Sequence, residues 1–239
     1  HNIANKDFIL ISIPYRLGVF GFFSHPEVES PNLALFDQIL ALKWIGNYVS
    51  SFGGDPSNVT LIGESAGAGG ISHLIASPLS EGLFQRVIHQ SGGSSFTYPT
   101  PASEVKNLAS EFSKSFQDSS IKNLRTVSAE EVLKISEKIY ANHYFNYVND
   151  NLSLNEHLSE SYKEGKIQSV DLIIGSNNDE WSLYFDGNVD IELWLDQETS
   201  QEKKVKLLTL LEDIDDPVRK MDLLITAKNY VCPSLFMAK

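Results

Sequence analysis

The chain has one cysteine in 239 residues, Cys232. No disulfide can therefore close within it. In Val231-Cys232-Pro233-Ser234 the cysteine reads as a small buried apolar residue, or as a partner for a cysteine outside this chain. Neither a Cys-x-x-Cys nor a His-x-x-x-His pair occurs, so a metal site is not supported and no cofactor is expected. Basic residues are few: 19 Lys and Arg stand against 31 Asp and Glu, a net charge of −12. That balance argues against a phosphate-binding surface, and so against a nucleic-acid partner. Its first consequence is solubility; steering of cationic substrates is the second reading. No stretch approaches the length of a membrane span. Repeats, low-complexity tracts and linkers are also absent. No signal peptide is visible, but the first residue is His1, not Met, so no compartment is assigned.

What is present suffices for a core. Hydrophobic residues make up 42% of the chain. The length allows one large or two small domains, and the unbroken pattern favours one, spanning 1–239. Phe8-Ile9-Leu10-Ile11-Ser12-Ile13 reads as a buried parallel strand. Apolar residues from Leu35 to Val49 recur at helical spacing and predict a helix over 33–51, ended by Gly53-Gly54 and Asp55-Pro56. A strand over 59–63, a helix over 66–77 and a strand at Arg86-Val87-Ile88-His89-Gln90 follow. From Pro99 to Asn142 the pattern is helical and polar, with Ser128 as a cap and Glu131 at the capping-box position. Residues 142–168 read as loop, and Asp171-Leu172-Ile173-Ile174-Gly175 as another short buried strand. The tail, 198–239, reads as two or three helices, one starting at Asp216-Pro217. Strands alternating with helices imply an α/β class: a mostly parallel sheet with helices on both faces. Asn58-Val59-Thr60 and Asn151-Leu152-Ser153 match glycosylation sequons, although Asn58 also has a turn to form.

The most informative residues are Gly63-Glu64-Ser65-Ala66-Gly67. They stand between the apolar run Val59-Thr60-Leu61-Ile62 and a small-residue stretch that turns amphipathic. A Gly-x-Ser-x-Gly between a strand and a helix is the nucleophile elbow of an α/β-hydrolase. The two glycines give the sharp turn room that a Cβ would obstruct. Ser65 is the candidate nucleophile at its tip, and the backbone N–H of Ala66 is one candidate oxyanion donor.

The flanks carry a closer resemblance. Tyr15-Arg16-Leu17-Gly18-Val19-Phe20-Gly21-Phe22, Asn32-Leu33-Ala34-Leu35-Phe36-Asp37-Gln38, Phe52-Gly53-Gly54-Asp55-Pro56 and Gln90-Ser91-Gly92-Gly93 stand in order around the elbow. Together they resemble the type B carboxylesterases, the cholinesterase-like family. The match is dense over 8–94 and sparse afterwards. It implies an α/β-hydrolase fold and a small-molecule ester as substrate, and it favours this family over a lipase or thioesterase of the same fold.

A serine needs a base, and the base an orienting acid, in the chain order serine, acid, histidine. The resemblance puts the acid in Gly175-Ser176-Asn177-Asn178-Asp179-Glu180, at Glu180, with Asp179 as the second candidate. The family has a glycine next, where this chain has Trp181. By the same resemblance Glu64 lies near the site, Ser91 supports base and acid by hydrogen bonding, and Arg16 and Asp37 form a buried bracing ion pair. The histidine is not found where the family has it. All six, His1, His25, His73, His89, His143 and His157, precede Glu180. His73 and His89 read as structural. The family's base lies past the segment that Cys232-Pro233 resembles, and its glycine-rich oxyanion loop lies upstream of Tyr15-Arg16. The chain is therefore read as an internal piece of a larger serine esterase, inactive alone. A non-catalytic interaction domain of the same family is the alternative, opposed by the presence of both Ser65 and Glu180.

Overall fold

The computed structural model describes residues 7–96 and 102–239. His1 and the start of the polar helical region at Pro99 lie outside the described residues. Three parallel strands form the sheet: β1 (Thr60–Glu64), β2 (Arg86–Gln90) and β3 (Asp171–Gly175). Their spatial order is their sequence order. Leu61 stands opposite Val87 and Val87 opposite Leu172, while Ile62, Ile88 and Ile173 align on the other face. Parallel neighbours need a crossover, and helices supply it.

The helices are α1 (Gly18–Gly21), α2 (Leu33–Tyr48), α3 (Ala66–Ala76), α4 (Ala102–Lys114), α5 (Ile121–Leu124), α6 (Ala129–Ile139), α7 (Leu158–Lys163), α8 (Ile191–Glu198), α9 (Gln201–Leu210), α10 (Pro217–Thr226) and α11 (Cys232–Met237). The expected caps are in place. The Ser128 hydroxyl accepts from Glu131 N–H, and Asp216 Oδ1 accepts from Val218 N–H with Pro217 at the first turn. A π-helical turn, Ala227–Val231, joins α10 to α11. Pro233 has no N–H to offer the carbonyl of Asn229 four residues earlier. That carbonyl faces Gly93, where a Cβ would lie 2.6 Å from it. Glycine at 93 thus lets the segment after β2 pass close to the π turn.

The main core lies between α2, α3 and one sheet face, around Leu35, Leu42, Ile71, Leu74, Phe84 and Val87. Burying each large apolar side chain contributes about 1.5–3 kcal/mol. Two further clusters lie around Phe112 under α4 and α6, and around Leu195 under α8 and α10. A polar clasp ties the start of α2 to the 148–154 loop. Asn32, fully buried, donates to Val148 O and Ser153 Oγ and accepts from Val148 N–H. Asp150 accepts from the hydroxyls of Ser30 and Ser153 and the N–H groups of Leu152, Ser153 and Leu154. Burial pushes the Asp150 pKa up, but these donors outweigh it and the net direction is down.

Several expectations need correction. Phe8–Ile13 is not a buried strand: Phe8 to Ile11 are exposed and the segment joins no ladder. An apolar run becomes a strand only where a partner edge takes its hydrogen bonds. β3 exists as expected, but Ile173 is 67% exposed and Ile62 54%, so the second sheet face is open on both sides of the half-buried Ile88. Of the apolar residues at helical spacing in α2, Leu40, Trp44 and Tyr48 are exposed, on the side away from the core. Cys232 is exposed, because the first turn of α11 buries Pro233 and Ser234 instead. The 142–168 region contains α7, and α8 had no counterpart in the sequence reading. Among the described residues no helix is long and apolar enough to cross a membrane, and no cluster of metal-binding side chains occurs.

Candidate active site

All three strands run in parallel, so their carboxyl ends share one edge. Ligands of open α/β sheets bind at that edge. Ser65 follows β1 directly and Ser91 follows β2 directly. Ser65 N–H donates to Gln90 O at 2.9 Å, and Ser91 N–H donates to Gly175 O at 2.8 Å. Each serine extends its strand by one hydrogen bond before the chain turns away. Adjacent strands lie about 4.8 Å apart, which puts the end of β3 about 10 Å from Ser65.

Ser65 has φ 54° and ψ −122°. Few residues other than glycine occupy that region, and they cost about 1–3 kcal/mol when they do. The turn is sharp because β1 passes straight into α3. Gly63 is needed for it: a Cβ there would sit 2.7 Å from Gly67 C and 2.8 Å from Ala68 N. Gly67 is a correction to the expectation that both glycines make room, since a Cβ at 67 would meet nothing within 4 Å. Ser65 is the N-cap of α3, yet its hydroxyl makes no capping bond. Its side chain is exposed, as are those of Glu64 and Ala66. Ala66 is the first residue of α3, so its N–H has no partner inside the helix and points out at the positive end of the helix dipole.

Glu180 sits in the loop after β3, half-buried. Its Oε1 accepts from the Ser91 hydroxyl at 2.6 Å and from Asn177 N–H at 2.6 Å. Ser91 is buried and also has positive φ, 53°. The two residues predicted to work together are thus in direct contact. Asp179 is held elsewhere, in an ion pair with Arg219. Trp181 has φ −121°, a conformation open to any residue, so the loop has no need of the glycine found there in the family.

The described histidines are occupied away from Ser65. His73 Nδ1 bonds Gly69 O at 2.8 Å, and its ring lies 4.3 Å from that of Tyr147. His89 Nε2 bonds Ser72 Oγ at 2.9 Å inside the core. Burial lowers both pKa values to about 4. His25, His143 and His157 bond Ser119 O, Glu104 and Ser159. Arg16 and Asp37 pair as expected, Nε to Oδ2 at 2.7 Å and a second nitrogen to Oδ1 at 2.6 Å. The pair is not buried, however: the Arg16 side chain is 48% exposed. The side-chain hydrogen bonds to Arg16 hold the Asp37 carboxyl below the usual range.

The sequence profile of the carboxylesterase family matches residues 1–228. The chain belongs to the carboxylesterase family. Among carboxylesterases and their kin, para-nitrobenzyl esterase of Bacillus subtilis (strain 168) is 36% identical over 204 residues, 79% of this chain and 40% of that protein. Human cocaine esterase is 33% identical over 217 residues, 87% of this chain and 38% of that one. Cholinesterase 2 of Branchiostoma lanceolatum is 36% identical, over 76% of this chain and 57% of its own length. A solved PNB esterase superimposes with a TM-score of 0.77 at 32% identity, covering 94% of this chain and 51% of its own. A Geobacillus stearothermophilus carboxylesterase reaches 0.81 at 26% identity, covering 94% and 50%. The type B, cholinesterase-like membership and the α/β-hydrolase fold read from the sequence are borne out. The chain spans about half the length, or less, of most of these carboxylesterases.

Three residues around this carboxylesterase loop went unnoticed in the sequence. Arg219, Asp222 and Thr226 on α10 bond residues 179–182. Their signal was Asp222 inside the apolar run Met221 to Ile225, with Thr226 four residues on, at helical spacing.

Proposed function

We propose that the protein of which residues 1–239 form a part is a serine carboxylesterase that hydrolyses small-molecule esters. The observation that carries this reading is Ser65: a positive-φ residue at a strand-to-helix turn, with an uncapped hydroxyl beside the free N–H of Ala66. Ser65 Oγ attacks the ester carbonyl while a histidine from outside residues 1–239 takes its proton. Glu180 orients that imidazole through Oε2, since both bonds from Ser91 and Asn177 fall on Oε1. The tetrahedral intermediate places its oxyanion against Ala66 N–H. The histidine returns its proton to the departing alcohol, leaving an acyl-Ser65 ester. Water, activated by the same base, then releases the acid and restores Ser65. Glu64 adds negative charge beside the elbow, with its side chain exposed.

None of the described histidines serves Ser65 as a base, and residues 1–239 taken alone are proposed to be inactive. The complete protein carries the test. Ser65→Ala should abolish hydrolysis of a short-chain aryl ester, and a serine-directed fluorophosphonate should label the wild type at Ser65 only. Hydrolysis retained in Ser65→Ala would sink the proposal.

A further inference from the structure

The loop that carries Glu180 is gripped by one stripe of α10. Arg219, Asp222 and Thr226 recur at three- and four-residue spacing, which sets them on one helix face. Each holds a different residue of the loop. Arg219 pairs with Asp179 and also donates to Asp222 Oδ2 at 3.1 Å. Thr226 Oγ1 accepts from Glu180 N–H at 3.2 Å and donates to Asp222 Oδ1 at 3.4 Å. Asp222 Oδ1 accepts from Trp181 N–H at 2.7 Å and from Ser182 N–H at 2.9 Å. The Asp222 side chain has no exposed surface and Thr226 is 3% exposed.

A buried carboxylate is a costly way to hold a loop, because apolar packing would do so without desolvating a charge. What it adds is direction. The bonds from Trp181 and Ser182 N–H to Asp222 Oδ1, with that from Glu180 N–H to Thr226 Oγ1, set the backbone orientation at 180–182, and with it the path of the Glu180 side chain. The far end of that side chain is then fixed by Ser91 and Asn177. We infer that Asp222 and Thr226 are positioning residues for Glu180, acting through the backbone on the angle at which its carboxylate meets the base. This inference rests on the reading of Glu180 as the triad acid.

The test uses the complete protein and a short-chain aryl ester. Thr226→Val keeps the shape and removes the acceptor for Glu180 N–H, and Asp222→Asn removes the charge. Both should lower kcat about ten- to hundredfold with KM nearly unchanged, the usual result of a small misplacement. The acid limb of the kcat/KM profile should move to lower pH, because a misaligned carboxylate stabilises the imidazolium less. Thr226→Ser, which keeps the hydroxyl, should restore both. In a Glu180→Gln background Thr226→Val should add no further loss.

An unchanged kcat and pH profile in a folded Thr226→Val would overturn the inference, as would a full additive loss in the Glu180→Gln background. If Asp222→Asn fails to fold, the Thr226 pair decides alone. Full activity in Glu180→Gln by itself would instead overturn the assignment of the acid.

Discussion

The Ser91 hydroxyl donates a 2.6 Å hydrogen bond to Glu180 across 89 residues of sequence. The bond joins the end of β2 to the loop after β3, and so fixes the carboxylate against the sheet edge on which Ser65 stands. A charge-assisted bond of this length is about twice as strong as a neutral one. It ties the carboxylate end of Glu180 to the sheet, while the loop and α10 hold its backbone.

Glu180 and Asp179 are neighbours in sequence with different partners, and activity should separate them. Glu180→Gln in the complete protein is expected to lower kcat by about a thousand- to ten-thousandfold, the scale of removing the charge from a triad acid. Asp179→Asn only loosens an ion pair with the partly exposed Arg219, and should keep most of kcat. Steady-state kinetics on both variants is the check, and the reverse order of effects would move the acid to Asp179.

The elbow glycines should also separate. Gly63→Ala forces a Cβ to within 2.7 Å of backbone at Gly67, so the turn must open. A loss of stability of about 1–3 kcal/mol and poor labelling of Ser65 by a fluorophosphonate are expected. Gly67→Ala faces open space within α3 and should raise stability by about 0.5–1 kcal/mol. Urea unfolding midpoints of the two variants should therefore move in opposite directions.

Asp150→Ala would strand two hydroxyls and three N–H groups at the clasp between α2 and the 148–154 loop. Hydrogen bonds to charged groups contribute about 1.5–3 kcal/mol each, and water can re-satisfy the outer donors. A net loss of about 3 kcal/mol is expected in equilibrium unfolding. A loss below about 1 kcal/mol would mean the clasp is ornamental to the fold.

Acid should weaken the protein before most carboxylates titrate. His73 and His89 have folded pKa values of about 4 against 6.5 for the free side chain, because burial disfavours the charged form. Between those values the unfolded chain binds the extra protons, so stability rises with pH there. The contribution is complete above pH 6.5 and drains away as pH falls towards 4. Each group adds a slope of up to about 1.4 kcal/mol per pH unit. Unfolding free energies measured from pH 5 to 8 should show that slope, and two imidazole signals should stay neutral by NMR at pH 5. Stability flat down to pH 5 would contradict it.

The elbow, the strands 60–64, 86–90 and 171–175, and the helices α2, α3, α6 and α10 were legible because each is a local pattern. Gly63-Glu64-Ser65 needs only its own neighbours to turn, and Asp216-Pro217 needs only its own helix. The misreadings share a different cause. Whether Phe8–Ile13 becomes a strand, whether Ile173 is covered and whether Cys232 is inside depend on what lies beside them. The π turn at Ala227–Val231 follows from one proline meeting one packed loop, which periodicity does not encode. Asp222 and Thr226 were missed for the same reason. A polar residue in an apolar helix stripe announces a partner without naming it, and that partner, the loop after β3, lies 40 to 46 residues away.

Ser65 is held at φ 54°, where glycine would rest without strain. Replacing it by glycine should therefore make the fold firmer, by about 1 kcal/mol. Selection for heat resistance alone, in a laboratory library or in nature, would push this position towards the one residue with no hydroxyl to lose. A lineage that keeps serine here keeps a conformational debt, and only a use for the oxygen can explain its persistence.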